Sequence, residues 1–555
     1  MPAVSCGERL VELLENYGID TVFGIPGNHT VQLYRGLAAS AIRHISPRHE
    51  QGAAFMADGY ARASGRPAAC FLISGPGLGN AVTPMLQALA DSIPMLVVTA
   101  VAARRQLGMG EGRLHELPDQ RALASQCTRF SHTLMDPREL PKVIARAFAV
   151  FSSARPGPVH IEIPLDVITA DAGDVSPEPW PVPQAPVAAV AGLEELAQRL
   201  RNARRPLLIA GGGAVPAAQE LRTLVDRHAL PLLNTVNGKG LLPPEHPLLI
   251  GGSPSLQAVR DCIADADVVL AIGTEFGETD YDMLFLGELP APRWLARIDI
   301  DPAQLCRNQR ADLPLCGDSR GSLRLLLELL ERGSDGDSHR DTQAGGWNDP
   351  DGARSRVAAV REAIAQERHV STDMQSLFAT LQRALPDLCL VGDSTLPSYY
   401  AVWQYNAPAP RRYFHSATGG GTLGYAIPAA IGARRALGEQ LPVLALIGDG
   451  AAQFTFMELA AAVQERLPIL VLLWNNHGYR EIHAGMLASE VSPVGVEIEP
   501  PDFIAAARAL GCEAERIDSL AQLGERLPVL AALDRPALIE LPEVAFVHSA
   551  SGDWY

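Results

Sequence analysis

The stretch that most narrows the possible folds is LPVLALIGDGAAQFTFMELAAAVQERLPILVLLWNNHGY, residues 441–479. Two short continuous apolar runs, 441–447 and 469–474, have the pattern of strands buried on both faces of a parallel sheet. Between them Phe456, Leu459, Ala460 and Val463 recur at helical spacing, which leaves Glu458, Gln464 and Glu465 for a solvated face. Strand, helix and strand over short connections make a right-handed crossover, so both strands end on one edge of the sheet. The runs end at Gly448-Asp449-Gly450 and Asn475-Asn476, which puts Asp449 and Asn476 at the carboxyl edge, where open α/β sheets bind ligands. Gly448 and Gly450 allow a sharp turn and a close approach of backbone to ligand.

An acid oxygen, an amide oxygen and a nearby backbone carbonyl are hard ligands that suit Mg²⁺ or Ca²⁺ rather than zinc. So few protein oxygens leave an octahedral Mg²⁺ to be completed by water and phosphate. The helix after Gly450 also offers its amino end to an anion. The expectation is a metal-bridged diphosphate. Read singly, Asp449 is a helix cap and Asn476 a residue tolerant of a left-handed bend; the pair at matching strand ends favours ligands.

Length and composition bound the rest. A chain of 555 residues, 47% hydrophobic and 20% charged, is globular and long enough for three or four domains. A formal net charge of −17 argues against nucleic acid or an anionic membrane as partner. The amphipathic start MPAVSCGERLVELLENYGID has no secretory apolar core, and eight scattered cysteines read as reduced thiols, so the expected compartment is cytoplasmic. The Pro-rich 176–188 and the Gly/Asp-rich 333–353 read as linkers. They separate segments 1–175, 189–332 and 360–555, each alternating strand and helix signals; the expected architecture is α/β, three doubly wound domains with parallel sheets.

The first segment repeats the logic of the opening stretch. A short strand at 42–46 leads to Glu50 at the start of a Gly/Ala-rich helix, and a strand at 68–73 ends at Gly75-Pro76-Gly77. Glu50 reads either as helix-dipole decoration or as a buried carboxyl paired with a ligand nitrogen; spacing does not decide.

Gly448-Asp449-Gly450 through Asn475-Asn476, with 24 residues between, resembles the thiamine-diphosphate fingerprint. RHEQGAAFMADGYARASGRP resembles the pyrimidine-domain signature of the same family, RPGPVHIEIPLD that domain's end, and TGGGTLGYAIPAAIGA the segment before the metal motif. Taken in order, they make the chain similar to the acetolactate synthase, 2-oxo-acid decarboxylase and benzaldehyde lyase group. The resemblance implies thiamine diphosphate held through Mg²⁺ by Asp449, Asn476 and the Gly478 carbonyl. It implies Glu50 against the aminopyrimidine, the Gly421 carbonyl on its exocyclic amine, and Leu423 as the wedge that bends the cofactor. It also implies a homodimer or homotetramer with sites between subunits, and a 2-oxo acid as the small-molecule substrate.

The residues expected around the substrate depart from well-known members. Pyruvate decarboxylases carry adjacent histidines where Ala103-Arg104-Arg105 stands and a glutamate where Ile482 falls; acetolactate synthases carry Phe-Gln where Leu114-His115 stands. Asn28, His29 and His115 are the candidates for proton transfer to substrate, histidine because it titrates near neutrality. Either PGNHT is a simple turn and His115 a surface loop residue, or both face the site. The segment 22–77 and RLHELPDQ look most like the 5-guanidino-2-oxopentanoate (2-ketoarginine) decarboxylases, whose product would be 4-guanidinobutanal. A guanidinium tail calls for a carboxylate, with Glu116, Glu481 and Asp553 as candidates. The alternatives are a carboligase and, less favoured, an FAD-dependent oxidase. Gly211-Gly212-Gly213 with Asp299 and Asp301 resembles a nucleotide fold, expected here to be vestigial, with the glycines as a turn and FAD unlikely.

Overall fold

The computed structural model describes residues 4–281, 283, 287–332, 349–367 and 371–547. Asp553 and 333–348 of the second expected linker lie outside them. Three sheets follow one another along the chain, and every pairing in them is parallel. The first holds β1 (Thr21–Gly24), β2 (Arg43–Ile45), β3 (Ala68–Leu72), β4 (Met95–Val101), β5 (Phe130–Thr133) and β6 (Pro158–Pro164), in the order β2-β1-β3-β4-β6-β5. The second holds β7 (Pro206–Ala210), β8 (Leu232–Asn234), β9 (Val268–Ile272), β10 (Leu295–Asp299) and β11 (Leu313–Cys316), ordered β11-β10-β9-β7-β8. The third holds β12 (Cys389–Gly392), β13 (Tyr413–His415), β14 (Val443–Gly448), β15 (Leu470–Asn475), β16 (Glu513–Arg516) and β17 (Ala537–Pro542), ordered β13-β12-β14-β15-β17-β16.

The first and third sheets share an order, and their helices share a core. Helix Glu50–Ser64 crosses helix Ala426–Leu437 at glycines: a Cβ on Gly432 would lie 1.8 Å from the Met56 carbonyl oxygen, and one on Gly59 2.0 Å from that of Ala429. The small residues of EQGAAFMADGYARAS and AIPAAIGARRAL therefore bring two backbones into contact. Around the crossing, Phe55 and Tyr425 sit in one apolar cluster with strand residues of both sheets. A buried polar knot locks it: Arg62 Nε donates to Asp58 Oδ1 at 2.6 Å, Tyr425 Oη donates to the same oxygen at 2.5 Å, and Arg62 also pairs with Asp91 at 2.6 Å. Such fully partnered buried charges fix geometry more than they stabilise.

Gly432→Ala tests the crossing. Helix propensity favours alanine by about 1 kcal/mol, whereas overpacking a rigid backbone contact costs about 3 kcal/mol or more. The variant is expected to be less stable by about 2 kcal/mol or more, read from the denaturant midpoint at constant m. A gain in stability would contradict the contact.

One expectation is corrected. Residues 350–353 are not linker: Asp349 accepts from the Gly352 amide and starts helix Pro350–Ala365, which puts Ala353 in the middle sheet's core. Gly211, Gly212 and Gly213 do form a tight turn, in which the Ala214 amide donates to the Gly211 carbonyl at 3.0 Å at the start of a 3-10 segment, with none of the three at positive φ. They let the β7 end approach the β9 end, since Cβ atoms on Gly211 and Gly213 would lie 2.3 Å from Gly273 O and 2.8 Å from Gly273 Cα. Among the described residues no helix is long and apolar enough to cross a membrane.

Candidate active site

The carboxyl ends of β1 to β4 deliver one half of the site. After β1 the chain turns at Gly27, where a Cβ would meet Ile73 at 2.4 Å, into a short 3-10 segment, Asn28–Thr30. His29 Nδ1 lies 2.7 Å from the buried Ser74 hydroxyl, and its ring meets that of His115 edge-on at 5.3 Å. Burial first, and His115 second, hold His29 below the usual imidazole range. His115 reaches it from the loop after β4, in a left-handed backbone conformation (φ 61°), with a buried Nδ1 that has no partner among the described residues. A strained backbone and an orphaned ring nitrogen are what a ligand-facing histidine leaves behind. His115 lies half-buried on its loop with its ring against that of His29, and Asn28 is exposed at the start of its segment.

Glu50 is the first residue of its helix and is buried, and the capping it might have supplied comes from the His49 ring, which accepts from the Gln51 amide at 3.2 Å. Its Oε2 accepts from Asn80 Nδ2 at 2.9 Å, and its Oε1 lies 3.6 Å from where a Gly77 Cβ would stand. Beneath the 74–77 turn, Gln120 Oε1 accepts from the Gly75 amide at 2.7 Å, while its Nε2 donates to Thr99, Ala100 and Glu162. Gly75 has φ 65°, and a Cβ there would lie 2.5 Å from the His115 carbonyl. Glu50, His29 and His115 thus converge on one turn.

The other half lies at the ends of β12 to β15 and β17. Asp449 is 1% exposed and does not cap its own helix: Oδ2 accepts from the Gly478 amide at 2.9 Å and Oδ1 from the Asn476 amide at 3.5 Å. Burial pushes its carboxyl up, against the pull of those amides. Asn476 Nδ2 donates to Glu543 Oε2 at 3.1 Å, a carboxylate that also accepts from Trp474 Nε1 at 2.7 Å. A carboxylate there can only accept, so the amide nitrogen faces it and Oδ1 is the free end. The left-handed bend falls not on Asn476 but on His477 (φ 60°) and Gly478 (φ 138°). The glycines of the acidic motif serve packing rather than a sharp turn. Gly448 is extended at φ −81°, facing Thr395, and a Cβ on Gly450 would lie 2.6 Å from the Tyr479 ring.

Gly421 has φ 62° with open space around its Cβ position, and the half-buried Leu423 packs on the shared core. Both ride on a segment pinned by Asp393, whose carboxylate accepts from the amides of Gly424 (3.2 Å), Ala426 (2.9 Å) and Ser394 (2.9 Å). Burial pushes that carboxyl up to about 6 against the same amides. Among the described residues no group of three or more His, Cys, Asp and Glu could hold a metal. A hard cation here would therefore take one carboxylate oxygen, the Asn476 amide oxygen and a backbone carbonyl, with anionic ligand oxygens completing the shell.

The sequence reading missed Ser74, Asn80, Gln120, Asp393 and Glu543. Asp393 was legible in principle, because LCLVGDS is another apolar run ending in Gly-Asp; nothing local marks the others. Glu458, assigned to a solvated face, is 2% exposed. Of the tail candidates, Glu116 is held by its own loop, accepting from the amides of Gly110 (3.0 Å) and Arg113 (2.9 Å). Glu481 and the exposed Ile482 stand on helix Arg480–Ala488, directly after the Asn476–Gly478 corner.

Two halves of this kind, on sheets of like order, define the thiamine pyrophosphate enzymes, and the chain belongs to that family. Residues 4–123 match the N-terminal TPP binding domain of thiamine pyrophosphate enzymes, 193–326 the central domain and 393–541 the C-terminal TPP binding domain. Among curated relatives, a probable 2-ketoarginine decarboxylase of Pseudomonas aeruginosa is 44% identical over 543 residues, covering 97% of this chain and 94% of the relative. A probable acetolactate synthase large subunit of Methanocaldococcus jannaschii is 30% identical over 96% of this chain and 91% of its own. The large subunit of acetolactate synthase isozyme 3 of Escherichia coli is 30% identical over 92% and 89%.

Proposed function

We propose that this enzyme decarboxylates a 2-oxo acid without oxidation, with thiamine diphosphate and Mg²⁺, and that its substrate is 5-guanidino-2-oxopentanoate, giving CO₂ and 4-guanidinobutanal. The observation that carries the reading is the convergence of Glu50, His29 and His115 on the 74–77 turn, joined to the 44% likeness to a probable 2-ketoarginine decarboxylase.

Asp449, the Asn476 amide oxygen and the Gly478 carbonyl would hold the metal, and the diphosphate with it. The Gly421 carbonyl and Leu423 would hold the cofactor, and the Glu50 carboxyl would hold a proton facing its pyrimidine ring. When bound, the thiazolium supplies an electron sink for the pair left as CO₂ departs. Burial and His115 hold His29 below the usual imidazole range, and His29 and His115 are the ring nitrogens that would pass a proton to the substrate carbon. Asn28 borders that path. Leu423 and Ile482 keep the reacting carbon in apolar surroundings, which favours loss of the carboxylate's charge.

Glu481 is the carboxylate we assign to the guanidinium, since it stands on helix Arg480–Ala488 directly after the Asn476–Gly478 corner. Sites complete between subunits fit the exposed apolar side chains beside each half: Leu86 (48% exposed) on helix Pro76–Ala90, and Phe454 (52%) and Met457 (58%) beyond Asp449. A dimer or tetramer would cover them.

The test is a panel of 2-oxo acids with product analysis. 2-Ketoarginine is expected to exceed pyruvate in kcat/KM by about 100-fold, and Glu481→Gln to erase about 10-fold to 100-fold of that preference, the worth of a buried charge pair. Brisk acetolactate formation with 2-ketoarginine untouched would establish the carboligase reading instead, which the acetolactate synthase relatives favour. Flavin absorbance in the purified protein would favour the oxidase.

A further inference from the structure

Glu458 ends a 3-10 segment, Phe456–Glu458, within the stretch that begins at Asp449, yet its carboxylate serves another domain. Oε1 accepts from the amides of Arg48 (3.1 Å) and His49 (3.0 Å), and Oε2 from that of Arg48 (3.0 Å). These two amides immediately precede Glu50. They open the helix whose positive end faces the carboxylate, a charge–dipole arrangement that favours the ionised form. Gly52 makes room for it, because a Cβ there would stand 2.2 Å from Glu458 Oε1. Arg48 closes the grip from the other side, donating through Nη2 to the Ala460 carbonyl (3.2 Å) and Gln464 Oε1 (2.8 Å).

We propose that Glu458 is a positioning residue for Glu50: by holding the 48–49 backbone it sets where the Glu50 carboxyl stands, and it ties that carboxyl to the Asp449 segment of the same chain. The inference rests on the role given to Glu50 above. Asn80 fixes the Glu50 side chain and Glu458 its backbone, so the carboxyl has neither a free rotor nor a free hinge. Burial pushes the Glu458 carboxyl up to about 7, against the Arg48 and His49 amides and the Arg48 charge, with Glu50 adding to the rise. Where sites form between subunits, Glu50 and Asp449 of one chain serve different sites, and this contact joins them.

Two variants approach the contact from opposite sides. Glu458→Gln keeps the volume but leaves one acceptor oxygen for two amides and turns its N–H₂ toward that of Arg48, and Gly52→Ala leaves Glu458 intact while occupying its place. Each is compared with wild type and Glu50→Gln by amide hydrogen exchange of the cofactor-free protein, by kcat and KM for 2-ketoarginine, and by melting temperature. Exchange at Arg48 and His49 is expected to rise about tenfold or more. Turnover should fall about tenfold to 100-fold, the cost of a displaced catalytic group, with KM within about twofold. Unchanged exchange at 48–49, or raised exchange with kcat within about twofold of wild type, would overturn the proposal. A uniform rise in exchange along the chain with a matching fall in melting temperature would overturn it in favour of plain domain adhesion. Should Glu458→Gln not fold, Gly52→Ala decides alone. If Glu50→Gln is itself fully active, the role of Glu50 fails and this proposal with it; if Glu50→Gln is inactive while both other variants are active, only this one fails.

Discussion

Glu50→Gln is expected to lower turnover by about 1,000-fold, the middle of the range for removing a positioned acid–base group, while the protein melts as wild type does. The carboxamide matches the carboxyl in size, and its oxygen can accept the same Asn80 hydrogen bond, so the buried surroundings need not move. What it lacks is a proton that can be shared with a ring nitrogen. Activity would be followed as CO₂ release under saturating cofactor, with melting in parallel to separate chemistry from folding. Turnover within about threefold of wild type would remove Glu50 from the mechanism.

Asp449→Ala should abolish stable cofactor retention. The carboxylate is the sole acid in the expected metal shell, and its loss also strands the amides of Gly478 and Asn476, which it now accepts from. Leaving such buried donors unpaired costs about 1–3 kcal/mol each, and loss of a ligand exceeds the roughly 10-fold to 100-fold that loss of a ligand's supporting group costs in metal affinity. The measurement is diphosphate content after gel filtration in Mg²⁺-containing buffer. Wild-type protein stripped with a chelator should behave like the variant, and re-addition of Mg²⁺ should rescue only the wild type. Retention equal to wild type would move the diphosphate elsewhere.

These predictions begin from residues that could be read before any coordinates. Asp449 and Asn476 stand at the ends of two apolar runs, and a run of that length has only one way to be buried on both faces. Their shared edge follows from the parallel pairing of the two strands. Glu50 was legible as a choice between helix decoration and a buried partner, and local spacing had no means to choose. His29 and His115 were legible as residue types, not as neighbours: 85 residues lie between them in the chain, and only the convergence of the β1 and β4 ends sets their rings edge to face.

Glu458 shows why the reading stops where it does. On its own segment it occupies a position that periodicity assigns to water, because a hydrophobic pattern records only what each residue prefers, not which distant backbone will arrive beside it. The crossing of helix Glu50–Ser64 over helix Ala426–Leu437, close enough to exclude a Cβ at Gly59 and Gly432, brings the first domain onto the third and presents the Arg48 and His49 amides to that carboxylate. Period and strand-end chemistry, which are properties of a few consecutive residues, settled the three parallel sheets and the acid and amide at their edges. The partner of Glu50 and the meeting of the histidines were decided by packing within the first domain, and the inward turn of Glu458 by packing between domains, since burial and hydrogen-bond satisfaction depend on atoms that lie 30 residues away for Glu50 and 410 for Glu458.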